Sequence, residues 1–244
     1  MIDCHCHLAD EAFDSDLGDV IQRAKEAGVE AAIVVAEFAD QFDRVLNLAV
    51  EYPDFCFPAL GLHPVQRGNR SAADRLAAVG EVGLDFTPRY VPNGDEDKRE
   101  QREVFRRQIE LANELQIPVN VHSRSAGRPV VEWLLKYEAK AALLHAFSGN
   151  VKSAKPAIER GFFFSIPPSF ASNPEREKLV QAVPLEQLCL ETDSPVLGPD
   201  RNERNEPKNL RVSAEFIARV KNVDVEEVIR VTSRNARRLF RFVR

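Results

Sequence analysis

The chain has 244 residues, of which 44% are hydrophobic and 29% charged, and its formal net charge is −5. This length suffices for one large core and is close to the roughly 250 residues of a (β/α)8 barrel. No stretch approaches the roughly 20 apolar residues of a membrane span and no signal peptide is apparent, so we expect an intracellular protein, cytoplasmic or nuclear. None of the four cysteines belongs to a CxxC pair, which is typical of reduced thiols. The acidic balance argues against a broad nucleic-acid-binding face, unless bound divalent cations add positive charge.

Strand-like segments alternate with helical patterns from end to end. The predicted strands cover residues 1–7, 29–36, 55–63, 77–86, 117–122, 141–145, 162–166 and 188–193. The predicted helices cover residues 17–27, 42–50, 98–115, 128–137, 151–160 and 174–183, and two more, 213–220 and 224–240, close the chain. Eight apolar strands with interposed helices are typical of a parallel sheet covered on both faces. We therefore predict an α/β fold, a single (β/α)8 TIM barrel over residues 1–244 with extra C-terminal helices.

The segment between the third and fourth predicted strands is short. Once loop residues are set aside, 65–79 leaves room for about two helical turns, whereas a parallel crossover needs at least about ten to twelve residues including its helix. We therefore expect the third helix of the barrel to be shortened or missing.

Polar residues gather where the predicted strands end. All five histidines lie there, and so do four carboxylates, Glu81, Asp85, Glu191 and Asp193. Active sites of (β/α)8 barrels are built at the carboxyl-terminal ends of the strands. A single histidine in a strand is more often a hydrogen-bonded core residue than a ligand. Five at the same end of one barrel favour a metal site.

The first strand contains Cys4, His5, Cys6 and His7, four consecutive residues that can each bind a metal. Side chains of a strand alternate between its two faces, so all four cannot reach one ion. The alternation predicts that the two histidines, together with Asp3, face the barrel lumen and that both thiols pack beneath the helices. The alternative, a structural zinc held by cysteines, lacks the further ligands that it requires.

The number of candidate ligands indicates how many ions the site holds. A tetrahedral ion takes four ligands at most, and six suit two ions roughly 3.5–4 Å apart. Glu81 comes from the strand between the two groups of histidines, so we expect its carboxylate to bridge the ions. Imidazole and carboxylate donors suit Zn, Mn, Fe or Co, with Mg at the position richer in carboxylates. We thus predict two divalent ions, Mg, Mn or Zn, and the six ligands are His5, His7, Glu81, His122, His145 and Asp193.

Several longer motifs carry a family resemblance. HCHL, GLHP, GEVGLDF, LLHAFSG, CLETDSPVLGP and RNEPKNL follow one another along nearly the whole chain. In this order they resemble the TatD-related deoxyribonucleases, which are metal-dependent phosphodiesterases built on a barrel. The stretches PVNVHSRSAGRP and CLETDSPVLGP look most similar to the branch called TatD DNase domain-containing 3.

The resemblance implies a role for each motif residue. It assigns one metal to His5, His7, Glu81 and Asp193, and the other to Glu81, His122 and His145. It implies that His63 is not a metal ligand and contacts the scissile phosphate or steadies the transition state. Glu191 either supports a ligand from behind or forms a salt bridge in the barrel mouth. The implied activity is 3′-5′ exonuclease action on single-stranded DNA ends, with cleavage at abasic sites as an additional activity.

We expect hydrolysis of a DNA phosphodiester by a two-metal mechanism, in which the ions activate a water and polarise the phosphoryl oxygens. Asp193 would orient the nucleophile or accept its proton, and a protonated His63 would neutralise charge on the phosphate. Arg124 directly follows the His122 strand end and is favoured as a phosphate contact. Arg128 and Lys208 are better explained as solvated charges at the rim.

Other functions remain open from the sequence. Phe86 or Phe147 could stack on a base, or both could belong to the core. A small-molecule amidohydrolase or lactonase could use the same barrel, although many such enzymes bridge their metals with a carboxylated lysine and this chain offers Glu81. A metal-free scaffold would require that ligands be lost, and every expected ligand is present. We expect a monomer without an obligate protein partner.

Overall fold

A computed structural model describes residues 1–63 and 76–240 of the chain. Eight parallel strands close into a barrel in chain order, and the last strand pairs with the first. This confirms the predicted (β/α)8 TIM barrel. The strands are β1 (Ile2–Cys6), β2 (Ala31–Val35), β3 (Cys56–Leu60), β4 (Ala78–Gly83), β5 (Val119–His122), β6 (Ala142–Leu144), β7 (Phe163–Ile166) and β8 (Leu188–Leu190).

Eight α-helices occur in the described residues, and two of them follow the last strand as predicted. The predicted shortened or missing third helix falls largely within 64–75, outside the described residues, and stays a prediction. None of the described helices combines the length and the apolar character needed to cross a membrane. The helices are α1 (Leu17–Glu26), α2 (Phe42–Glu51), α3 (Asp95–Leu115), α4 (Gly127–Lys136), α5 (Val151–Arg160), α6 (Pro174–Ala182), α7 (Leu210–Lys221) and α8 (Val225–Leu239).

Helix ends follow local chemistry. Asn150 begins α5 by accepting a hydrogen bond from the Ser153 amide, and Gly161 ends it with a φ of +85°, a conformation that glycine adopts without strain. Asp224 begins α8 in the same way, accepting from the amide of Glu226. These capping residues explain why the sequence locates the two helices well.

The core has two parts. The larger cluster contains buried helix residues such as Val20, Phe105 and Val130, and it lies between the helices and the outer faces of the strands. The smaller cluster joins Ile33 of β2 to Phe163 of β7, on different sides of the barrel. Such strands meet only across the lumen, so this cluster fills the lumen beneath the polar residues.

The strand register contains two irregularities that affect the site. One lies in β1 between Asp3 and Cys6, and the other in β4 between Val79 and Val82. A β-bulge adds one residue to a strand and shifts the alternation of its side chains. The bulges therefore change which residues of β1 and β4 enter the lumen.

The bulge corrects the prediction for Cys4. Cys6 joins the larger cluster beneath the helices, as expected, but Cys4 joins the lumen cluster together with Leu143 and Cys189. The Asp3 side chain is buried against Thr192 of the neighbouring segment. Strict alternation therefore fails between Cys4 and Cys6, within the segment where the register shifts.

Candidate metal centre

Six of the predicted site residues converge at one end of the barrel. His5 lies in β1 and His7 directly after it, Glu81 lies in β4, and His122 ends β5. The other two come from the segments that follow β6 and β8. Because parallel strands all present their carboxyl ends to the same side, these distant segments meet over the lumen. The residues that follow β6 and β8 are His145 and Asp193.

One group of donors surrounds a single oxygen of the Glu81 carboxylate. Oε2 of Glu81 lies 3.8 Å from Nε2 of His5 and 3.6 Å from Nε2 of His7. Oδ1 of Asp193 lies 3.4 Å and 3.2 Å from the same two nitrogens. This group therefore contains two imidazoles and two carboxylates.

The second group surrounds the other oxygen of Glu81. Oε1 lies 2.7 Å from Nδ1 of His122 and 2.8 Å from Nε2 of His145. Nε2 of His63 is 3.7 Å from this oxygen, which brings His63 closer to the donors than expected. The geometry thus admits His63 as a ligand together with Glu81 and His122.

The arrangement of donor atoms fits a bound cation. Nε2 of His5 and Nε2 of His7 face each other at 3.3 Å, and both residues lie against carboxylates with little access to solvent. Three overlapping sets of described residues place their donor atoms within 4.8 Å of one another, and Glu81 belongs to two of them. Imidazole and carboxylate donors of this kind suit divalent transition metals.

Neighbouring charges shift the pKa values of the donor residues. Burial by itself raises the pKa of Glu81, but His63, His145 and the hydrogen bond with His122 hold that pKa well below its usual range. Burial by itself lowers the pKa of His7, yet Asp193 and Glu81 raise it to about 9. The carboxylates are therefore ionised at neutral pH, and protons on the imidazoles balance their charge until a metal replaces them.

Asn120 orients His5, a role that the sequence did not reveal. Its side chain is fully buried; Oδ1 accepts from Nδ1 of His5 at 2.9 Å, and Nδ2 donates to the carbonyl oxygen of Cys4 at 2.9 Å. Because Nδ1 carries the proton, Nε2 of His5 keeps its lone pair toward the donor group. The feature of the sequence that could have indicated this role is a polar residue, Asn120, inside the otherwise apolar strand PVNVH.

Asp85 orients His122 in a similar way. Oδ2 of Asp85 lies 3.2 Å from Nε2 of His122, which leaves Nδ1 to face Glu81. Burial by itself raises the pKa of Asp85, but hydrogen bonds from His122 and Thr87 lower it to about 2. A carboxylate behind a ligating histidine fixes its tautomer and ring orientation.

Glu191 lies behind His145. It is fully buried and accepts hydrogen bonds from the amide of Ala146 at 3.0 Å and the hydroxyl of Ser165 at 2.5 Å. Its Oε2 is 3.7 Å from Nδ1 of His145. Glu191 thus lies directly behind a candidate ligand, and its role as a support for that ligand stays a prediction.

The structure distinguishes the side chains that were considered as contacts of the phosphate or the bases. Arg124 lines the pocket above the histidines, whereas Arg128 pairs with Glu132 and Lys208 pairs with Glu206, as rim charges do. The aromatic ring of Phe147 is buried and packs edge-on against Phe164, so Phe147 belongs to the core and cannot stack on a base.

The charge of His63 is set by its burial. Burial lowers its pKa to about 4, and the attraction of Glu81 only partly opposes this effect. The imidazole is therefore neutral at pH 7. The charge-neutralising role requires a protonated His63, whereas the side chain, more than nine-tenths enclosed, is neutral; its contact with the phosphate stays a prediction.

A closed parallel barrel with histidines and carboxylates converging at the carboxyl ends of its strands has the architecture of the metal-dependent hydrolase barrels. The sequence pattern of the family described as TatD related DNase matches residues 2–241. The chain belongs to this family, which confirms the predicted resemblance. The predicted enzyme class, a deoxyribonuclease, is confirmed at the level of the family.

Individual relatives agree with this assignment. The human protein named Deoxyribonuclease TATDN3 is 49% identical, over 98% of this chain and 94% of its own length, which supports the predicted branch. The protein of Erwinia tasmaniensis named 3'-5' ssDNA/RNA exonuclease TatD is 31% identical, over 98% of this chain and 99% of its own. A crystal structure of the Escherichia coli TatD homologue YJJV superposes with a TM-score of 0.87 at 28% identity, covering 99% of this chain and 98% of the other.

Proposed function

We propose that the protein is a metal-dependent deoxyribonuclease that hydrolyses phosphodiester bonds at single-stranded DNA ends with two divalent ions. One observation carries the proposal. The two carboxylate oxygens of Glu81 face separate groups of histidines, as a carboxylate between two ions must do. We infer that residues 1–244 form a single hydrolase barrel.

The donor groups divide between two ions in the proposed site. His5, His7 and Asp193 would hold one together with Oε2 of Glu81. The histidines around Oε1 would hold the other, and these are His122 and His145, with His63 beside them. Divalent ions at such positions lower the pKa of a shared water and stabilise charge on phosphoryl oxygens.

The surrounding side chains supply the remaining chemistry. Hydrolysis forms a bond from water oxygen to phosphorus, breaks the bond to the departing ester oxygen and releases a proton. Asp193 can accept this proton, because His5 and His7 keep its carboxylate ionised even though burial opposes this. His63 is neutral and can share a hydrogen bond with the phosphate without adding charge. Arg124 extends from the pocket wall and supplies the positive charge instead.

The size of the pocket supports a flexible substrate. The cavity above the histidines measures about 200 Å3, below the roughly 300–1,000 Å3 typical of pockets that enclose a small ligand. It suits a phosphate presented by a single strand better than a stacked duplex. The Erwinia relative is named an exonuclease of single-stranded DNA and RNA, which favours the same kind of substrate.

A small-molecule lactonase or amidohydrolase is less well supported. The bridging place in this barrel is taken by Glu81, and no lysine lines the pocket above the donors within the described part of the chain. Preference for a lactone over DNA would nevertheless favour that activity.

The test is digestion of end-labelled single-stranded, double-stranded and abasic DNA after metal removal and add-back, with Glu81→Ala and Glu81→Gln. We expect both variants to lose at least about a hundredfold in kcat and to bind less than two equivalents of metal. Glu100→Gln changes an exposed carboxylate outside the site and serves as the control. Wild-type activity in the Glu81 variants would overturn the two-metal proposal.

A further inference from the structure

A second cavity adjoins the metal pocket and is larger. It measures about 610 Å3 and lies between the segment around Phe170, after β7, and the segment 195–203, after β8. The two walls are joined by a hydrogen bond from the amide of Ser169 to the carbonyl of Leu197 at 2.9 Å. Both cavities share three lining residues, Arg124, Pro195 and Val196. The larger cavity therefore lies beside the proposed catalytic pocket, and we call it the side groove.

Three arginines line the side groove without ion-pair partners. Within the described residues, Arg124, Arg176 and Arg201 form no salt bridge, whereas nearby Arg204 pairs with both Asp16 and Glu206. The groove also contains Asp200 and Glu203, so its net lining charge is +1 from three arginines and two carboxylates. Cations that remain unpaired beside an active site are suited to bind an anion.

Arg176 is the most constrained of the three. Its guanidinium lies 4.7 Å from the ring centroid of Phe170, and Nη1 donates to the carbonyl of Phe147 at 2.9 Å. Burial lowers the pKa of the Arg176 guanidinium. Its partners are neutral carbonyls and an aromatic ring, and no carboxylate forms an ion pair with it in the described part of the chain. A guanidinium placed over an aromatic ring is held in position by it, and its remaining N–H groups can donate to a phosphate.

The groove also has an apolar wall. Val196 is 56% exposed, which is unusual for a large hydrophobic residue beside a buried site, and Pro195 and Leu197 flank it. Single-stranded nucleic acids bind where cations track the backbone and flat or apolar groups contact the bases. The volume of about 610 Å3 lies within the range of pockets that enclose a small ligand, unlike that of the metal pocket.

We propose that the side groove binds the nucleotide joined to the scissile phosphate, with its base beside Val196 and Arg176 and its next phosphate near Arg201. Arg124 lies at the junction of the two cavities and would contact the backbone between them. The inference rests on the proposed function and adds to it the subsite that selects a polynucleotide over a small phosphodiester.

The experiment compares a small substrate with an oligonucleotide. Hydrolysis of bis(p-nitrophenyl) phosphate reports on the metal pocket, and its inhibition by a phosphorothioate oligothymidylate of about ten nucleotides reports on the groove. The variants are Arg176→Gln and Arg201→Gln. Arg234→Gln is the matched control, because Arg234 is an exposed arginine of α8 that makes no ion pair among the described residues.

We expect the inhibition constant to rise about tenfold in each groove variant, well beyond any change in KM for the small diester. The slope of its logarithm against the logarithm of salt concentration should fall by about 0.7 for each lost phosphate contact. The control should change neither quantity. A merely structural role of Arg176 would affect both substrates alike, and Arg201, which is exposed, tests the groove without that ambiguity.

Two results would overturn the inference. If the wild type hydrolyses the small diester but neither groove variant weakens the oligonucleotide, the groove is not a nucleotide subsite. If the wild type hydrolyses no phosphodiester with Mg, Mn, Zn or Co, the proposed function fails and this inference fails with it.

Discussion

Oδ1 of Asn120 lies 2.9 Å from Nδ1 of His5, and the same side chain donates to the carbonyl oxygen of Cys4. One amide therefore determines both the tautomer of a histidine and the path of the strand that carries it. The Asn120 position also depends on Gly80, where a Cβ would lie only 2.6 Å from the Cβ of Asn120. Two neighbouring strands, β4 and β5, thus cooperate with β1 across the lumen to orient a single imidazole.

Replacing Asn120 by alanine should weaken metal binding. Without the acceptor at Nδ1, His5 can adopt the tautomer that turns a proton toward the donor group, and we expect a loss of about 10–100-fold in metal affinity. Isothermal titration calorimetry with Mn or Zn measures the metal affinity. Asn235→Ala is the matched control, because Asn235 is also buried and donates to the carbonyls of Leu185 and Leu188 away from the site. Equal metal affinity in Asn120→Ala and the wild type would contradict the proposed role.

Replacing Asp85 by asparagine should affect the second group of donors. The neutral amide cannot hold the Nε2 proton of His122 as the carboxylate does, so affinity at the site around Oε1 of Glu81 should fall about tenfold or more. The measurement is the number of metal equivalents retained after dialysis. Asp54→Asn, an exposed change outside the pocket, should retain the wild-type number. If both variants retain it, Asp85 does not position His122.

Metal binding should release protons at neutral pH. In the metal-free protein the pKa of His7 is about 9, and the pKa of His145 is also raised, so both imidazoles carry protons at pH 7. A metal binds the neutral imidazole, so apparent affinity should rise by about tenfold per pH unit for each proton displaced, until the pH exceeds these pKa values. Glu81 and Asp193 are already ionised and contribute no proton.

Calorimetric titration of the metal in two buffers of different ionisation enthalpy gives the number of protons released. Repeating the titration at about pH 10, above the pKa of His7, should reduce that number. Identical heats in the two buffers at pH 7 would show that the histidines are neutral before the metal binds.

The cysteines of the first strand should be dispensable for metal binding. Burial raises the pKa values of Cys4 and Cys6 well above their usual range, and a thiol binds metal as the thiolate. Cys4→Ser together with Cys6→Ser should keep the metal content of the wild type and lower the free energy of unfolding by roughly 1–3 kcal/mol, because hydroxyls replace apolar groups. Metal analysis and urea denaturation measure the two effects, with His5→Ala as the variant expected to lose metal. Loss of metal in the double cysteine variant would show that a thiol of the first strand binds the metal.

The predicted elements agree with the structure where local chemistry decides. α5 is observed at Val151–Arg160, the same range as predicted, because Asn150 and Gly161 mark its ends. β8 is observed at Leu188–Leu190 and is shorter than the predicted 188–193, because the chain leaves the sheet before Asp193, whose φ is +55°. The polar residues at the strand end look like part of the strand in the sequence but form the wall of the pocket.

The sequence by itself determined the barrel and the position of the six candidate donors at the ends of its strands. Periodicity of apolar residues, helix caps and the position of polar residues at strand ends are local properties, and a parallel barrel brings all such ends together. The tertiary structure alone decided how the donors are used. The bulge that sends Cys4 into the lumen, the low pKa of His63 and the division of the Glu81 oxygens depend on contacts across the barrel. His5 and Asn120, 115 positions apart, meet only after all eight strands have closed.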